Sequence, residues 1–202
     1  MTTARPSPGT QFKIGAIVLA AGFSERFGAV KLCAPMADGR TVLQHTLAQL
    51  APAVDEIIIV TRDEVAALLP TEYARPLICP QAKEGMGASL AFAIRQQSGW
   101  DACLVCLADM PLIATDSYRR LREHLTPDNI VLPRYQGRNG NPAGFGQKYF
   151  PELARLQGDR GGRVVLENHP DAIQTLALND PAILLDIDTP EDLQRLGKQK
   201  PL

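Results

Sequence analysis

Short apolar runs alternate with helical patterns along most of this 202-residue chain, and that rhythm limits its fold more than any other feature. Ile14–Leu19 and residues 56–60, 76–79 and 103–107 read as strands. The β-branched content of the first two calls for burial on both faces, as in a parallel sheet. Between the strands, Val42–Leu50 gathers Val42, Leu43, Thr46, Leu47 and Leu50 at helical spacing, and Met86–Gln96 does so with Leu90, Ala93 and Ile94. Residues 115–125 turn Tyr118, Leu121 and Leu125 inward and charge outward. A βαβα order of this kind predicts an α/β fold: a single three-layer α/β/α domain with a mostly parallel, Rossmann-like sheet.

The second half is less regular. A strand is expected at 129–133, a Gly/Asn-rich loop or hairpin at 137–146, and short helices at 149–156 and 161–168. Late strands follow at 172–176 and 183–186, and then a helix, Pro190–Leu196, with Thr189 as its cap. The domain is expected to span 13–197, with a flexible N-terminal tail at 1–12 and a C-terminal tail at 198–202.

A formal net charge of -1 supplies no global field for nucleic acid or anionic lipid, so neither is expected as a partner, and any polyanion must be held locally. No apolar run is long enough to span a bilayer, and the N-terminal residues lack a signal-peptide core, so a cytoplasmic protein is expected. Cys103 and Cys106 form a CxxC inside an apolar strand, where a spacing of three sends them to opposite faces. With no second CxxC and scattered histidines, they read as small buried hydrophobes.

Three segments carry candidate chemistry. Residues 19–31 follow the first strand with Gly22, Gly28, Arg26 and Lys31. A glycine-containing loop at a strand's carboxyl end can present N–H groups to phosphate, and two cations suit a triphosphate. A βα turn with surface charges would look similar. The loop is neither a Walker A nor a GxGxxG motif. Asp109, before Met110 and Pro111, ends the fourth strand at the edge where open α/β sheets bind ligands. A second aspartate from the acidic 186–192 segment would complete a pair suited to Mg²⁺, with Asp192 reading as a helix-start acid. Residues 84–90 open a helix with Gly85, Gly87 and Ser89, which fits either close approach of a nucleobase or a flexible helix entry.

Together these residues resemble a known family. Residues 19–31 are similar to the LAAGxSxRxGxxK signature of nucleotidyltransferases related to molybdenum cofactor cytidylyltransferase, within the MobA-like NTP transferase superfamily. Residues 85–90 resemble its GMGxSL element, 109–111 its DMP, 138–142 its GxP, 158–163 its GDxGxR, and 186–192 its DIDTPxD. The resemblance implies that Leu19, Ala20 and Ala21 belong to the nucleotide site, that Gly22, Ser24, Arg26 and Lys31 bind the triphosphate, and that Pro80, Gly85 and Ser89 hold the base. It implies Mg²⁺ on Asp109 and Asp188, with Arg26, Lys31 and Asp109 catalytic. The acceptor, a molybdopterin-type phosphate, would rest on Arg138, Asn141, Pro142, Gly158, Asp159 and Arg163.

The implied activity is transfer of CMP from CTP to molybdopterin with release of pyrophosphate, and the implied protein partner is a molybdenum hydroxylase. Ala21 stands where guanylyl-transferring relatives have glycine, which favours cytidine. Asn141 stands where the family often has histidine. Guanylyl transfer, transfer to a sugar or polyol phosphate, and non-catalytic holding of the pterin are the alternative readings.

Overall fold

The structure, a computed structural model, describes residues 12–22, 27, 30–69, 72–74 and 76–196. Among the described residues, eight strands form one sheet: β1 (Ile14–Leu19), β2 (Glu56–Thr61), β3 (Pro76–Ile78), β4 (Ala102–Leu107), β5 (Ile130–Tyr135), β6 (Arg138–Asn139), β7 (Ala143–Gly146) and β8 (Ile173–Ala177). Their order is β3-β2-β1-β4-β7-β5-β6, with β8 paired to β5. The first four strands run parallel, as expected, whereas β7 lies antiparallel to both β4 and β5.

Alternation along the central strands divides the core in two. Ile14, Ala16 and Val18 of β1, with Leu104 and Cys106 of β4, face one apolar layer. Ile17, Cys103 and Val105 face the other. Helices α1 (Val42–Leu50), α2 (Asp63–Ala66), α4 (Thr115–His124) and α7 (Pro190–Leu196) contribute to the first layer, and α3 (Met86–Gln96), α5 (Phe150–Leu153) and α6 (Arg163–Asn168) to the second. The CxxC thiols are therefore split between two cores, all four cysteines are free, and burial pushes Cys103 and Cys106 well above the ordinary thiol range. No helix among the described residues is long and apolar enough to cross a membrane.

Helix starts follow local chemistry. At α1, Thr41 Oγ1 accepts from the Gln44 N–H while the Gln44 side chain accepts from the Thr41 N–H, so two end donors are satisfied at once. Thr189 and Asp192 make the same reciprocal arrangement at α7. That supports the reading of Asp192 as a helix-start acid.

Two segments depart from the sequence reading. The expected strand at 183–186 is instead a 3₁₀ turn, Pro181–Leu184. Asp180 explains it: the buried carboxylate accepts from the Ala182 N–H at 2.9 Å, capping a turn that Pro181 favours. Conversely, the glycine-rich 143–146 segment is a strand inside the sheet. Its glycines serve close packing, since a Cβ at Gly144 would lie 2.8 Å from Leu125 and one at Gly146 2.3 Å from a backbone carbonyl.

Candidate active site

In register, Leu19 at the end of β1 sits beside Leu107 at the end of β4. The chain runs from β1 outward to β2 and β3, then returns to place β4 on the other side of β1. Loops leaving β1 and β4 therefore part at a topological switch point, where open α/β sheets hold ligands. A cavity of about 540 Å³ lies there.

One wall is Leu19, Ala20, Ala21 and Gly22, fixed by the Ala20 N–H donating to Val60 O at 2.8 Å and by Thr61 Oγ1 donating to Ala20 O. The opposite wall is the entry to α3, with Gly85, Met86 and Ser89. Gly85 has φ 117°, a conformation that disfavours any side chain, and a Cβ there would lie 2.6 Å from the Gly158 backbone. The Gly87 N–H donates to Gly158 O at 2.7 Å, so the 158–161 loop braces this wall and Asp159 also lines the cavity. Ser89 is buried, and its hydroxyl donates to Gly85 O at 3.3 Å.

Carboxylates converge on the floor. Ligand atoms of Asp109, Asp186 and Asp188 lie within 4.8 Å of one another. Two ties hold these distant segments together. The Ile187 N–H donates to Asp109 O at 3.0 Å. Asp180 accepts from the Ala114 N–H and from Ser117 Oγ, pinning the C-terminal segment to the stretch after β4. Behind Asp109, buried Thr46 donates its hydroxyl to Ala108 O at 2.9 Å.

Between the carboxylates sits Lys31. Its Nζ is 2.6 Å from Asp109 Oδ2 and 2.9 Å from Asp188 Oδ1, and its side chain is only 12% exposed. Burial works to lower the Lys31 pKa, but Asp109 and then Asp188 outweigh it and hold the ammonium above the ordinary lysine value. Burial pushes the Asp109 carboxyl above its usual range; Lys31 opposes that shift and Asp186 adds to it. Asp109 Oδ1 is buried and has no hydrogen-bond partner among the described residues. An all-oxygen donor set with an unpartnered buried oxygen fits a hard divalent cation.

Residues 16–173 match the family described as the MobA-like NTP transferase domain. The chain belongs to that family. Curated relatives of this NTP transferase include the purine catabolism protein PucB of Bacillus subtilis, 30% identical over 87% of this chain and 92% of that one. A probable molybdenum cofactor guanylyltransferase of Methanosarcina acetivorans is 30% identical over 64% of this chain and 60% of its own. The molybdenum cofactor cytidylyltransferase of Escherichia coli is 25% identical over 89% and 93%. Among solved structures, Rv0371c of Mycobacterium tuberculosis superposes with a TM-score of 0.83 at 30% identity, covering 94% of this chain and 100% of that one. Its complex with manganese gives 0.78 at 27% identity, with the same coverage.

Sequence-expected residues thus fall into three groups in this NTP transferase. Leu19 to Gly22, Lys31, Gly85, Ser89, Asp109, Asp159 and Asp188 share one cavity. Ser24 and Arg26 lie outside the described residues. Pro80, Arg138, Asn141, Pro142, Gly158 and Arg163 do not line the cavity. Of these, Pro142 is buried, and Arg163 is 78% exposed with its guanidinium on Glu167 at 3.0 Å. Asn141 is joined to the 181–184 turn, its N–H donating to Ile183 O at 2.9 Å.

Three features were not read from the sequence. Lys83 adds a cation to the cavity lining. Asp186 joins the carboxylate cluster, and its two-residue spacing from Asp188 on extended chain, with buried Ile187 between, was the available signal. Lys31 was expected to reach for phosphate, but it is drawn inward because two carboxylates are its nearest counter-charges.

Proposed function

We propose that the protein transfers CMP from CTP to the phosphate of molybdopterin and releases pyrophosphate. One observation carries this reading: the carboxylate cluster of Asp109, Asp186 and Asp188, with Lys31 among it, stands at the floor of a cavity walled by the 19–22 and 85–89 segments. Both substrates are anions, so the work of such a site is charge neutralisation and alignment for in-line attack on the α-phosphorus. Asp109, Asp186 and Asp188 would hold Mg²⁺. Bound there, the ion supplies electrophilic neutralisation of phosphate oxygens. Lys31 stabilises charge on the departing pyrophosphate, with Ser24 and Arg26 completing the phosphate contacts. N–H groups of the 21–22 segment orient the triphosphate, and Gly85 lets backbone approach the base. A phosphate nucleophile is already ionised at neutral pH, so no general base is required, and none of the three histidines lines the cavity.

The acceptor assignment draws support from relatives named for molybdenum cofactor nucleotidyl transfer. In this reading Asp159, from the loop bracing the base wall, faces the acceptor side together with the 138–142 and 158–163 segments, and a molybdenum hydroxylase would use the product. The choice of cytidine rests on Ala21, which is buried and lines the cavity. One methyl in a fitted pocket is worth about 1–3 kcal/mol, or ~10–200-fold. Pyrophosphate release with each of the four NTPs, with and without molybdopterin, tests the proposal. Turnover should require molybdopterin and a divalent ion and favour CTP, and Ala21→Gly should raise GTP use relative to CTP. A wild-type preference for GTP would overturn the cytidylyl assignment, and acceptor-independent turnover would overturn the acceptor.

A further inference from the structure

Lys31 stands between Asp109 and Asp188, the carboxylates that would share a metal. Its Nζ touches one oxygen of each, at 2.6 and 2.9 Å. A divalent ion taking those carboxylates sits about 2 Å from their oxygens. An ammonium and a dication cannot share that volume without strong like-charge repulsion.

Displacing Lys31 has a consequence set by its burial. With a side chain 12% exposed, the ammonium would be left largely desolvated and unpaired if metal entered alone, which is strongly unfavourable. A triphosphate entering the same cavity gives the ammonium new anionic partners.

We propose that Lys31 is the resident counter-ion of the cation site and changes partners, from Asp109 and Asp188 to the triphosphate, as metal and nucleotide bind. The inference rests on the nucleotidyl-transfer reading above and adds an order to it. Metal alone binds weakly, nucleotide tightens it, and by linkage metal tightens nucleotide by the same factor. Lys31 thereby protects the empty site from collecting free metal ions and ties assembly of the site to arrival of the substrate.

The test measures Mn²⁺ binding to the protein by the loss of the free-ion electron paramagnetic resonance signal, with and without α,β-methylene-CTP. Wild type should bind Mn²⁺ weakly alone and about tenfold or more tighter with the analogue. Lys31→Met keeps the apolar stem without the charge, so it should bind Mn²⁺ alone about tenfold or more tighter than wild type and lose most of the analogue's enhancement. Lys31→Arg, which keeps the cation, should behave like wild type. Lys31→Gln serves as the neutral variant if Lys31→Met fails to fold by circular dichroism. Equal or weaker Mn²⁺ binding by a folded neutral variant overturns the exchange while leaving nucleotidyl transfer intact. No Mn²⁺ binding by any form, even with the analogue, overturns the exchange and the metal site beneath it.

Discussion

Asp109→Asn separates the demands of catalysis from those of folding. The substitution keeps the side chain's shape and removes one negative charge. In the folded protein, burial pushes the Asp109 carboxyl above its ordinary pKa, and Asp186 pushes the same way against the pull of Lys31. A carboxyl with a higher pKa folded than unfolded gains stability as pH falls, so its ionised form subtracts from stability at neutral pH. Asparagine relieves that burden but gives up the contact with Lys31. Breaking a buried pair usually costs about 3–5 kcal/mol because the survivor is left alone. Here Lys31 retains Asp188 at 2.9 Å, so the full penalty does not apply. The two effects oppose each other, so the net change stays within about 1 kcal/mol and, for a chain of this size, the melting temperature moves by no more than about 4 °C in either direction. Turnover should nevertheless fall at least ~10²-fold, the scale for losing an essential electrostatic group. Scanning calorimetry in metal-free buffer and pyrophosphate release measure the two arms. A melting temperature lowered by more than about 8 °C would show that the pair is a structural brace, and near-normal turnover would remove Asp109 from the reaction.

Three further outcomes follow from particular contacts. Gly85→Ala should cost about 1–3 kcal/mol in backbone strain and raise KM for the nucleotide, because a Cβ there meets the Gly158 backbone at 2.6 Å and pushes the two loops apart; an unchanged melting curve and KM would refute it. A native-state thiol titration should find Cys33 the first to react and Cys79, Cys103 and Cys106 unreactive until unfolding, so modification of Cys103 or Cys106 ahead of Cys33 would contradict their burial. Lys13 and then the indole of Trp100 hold Glu56 below the usual carboxylate range, so this contribution to stability is present above that range and is lost as pH falls through the lowered value. The chain has a single tryptophan, donating to Glu56 at 2.9 Å, so its emission should shift over that acidic interval in wild type and not in Glu56→Gln.

The parallel half of the fold was legible because its signals are local and strong. Apolar runs mark β1 and β2, and helical spacing marks α1. The antiparallel half was harder to read. In β7, Ala-Gly-Phe-Gly carries two glycines that ordinarily argue against a strand, and only the close approach of Leu125 and of the 126–127 backbone explains them. At 181–184 an apolar run resembling a strand was overruled by Asp180 and Pro181. The cavity divides along the same line. Residues bound to a strand end or a helix start, such as Ala21, Gly85 and Asp109, could be read from position. The inward turn of Lys31 could not, because it depends on Asp188, 157 residues away in sequence.

Transfer of labelled phosphorus tests the central claim most directly. Incubating the protein with purified molybdopterin, Mg²⁺ and CTP labelled at the α-phosphorus should move the label onto the pterin, one for each unlabelled pyrophosphate released. Asp109→Asn should abolish most of that transfer. If the label appears only as free CMP, or moves onto the pterin efficiently from GTP and not from CTP, the account of this site as a cytidylyl-transfer centre is contradicted.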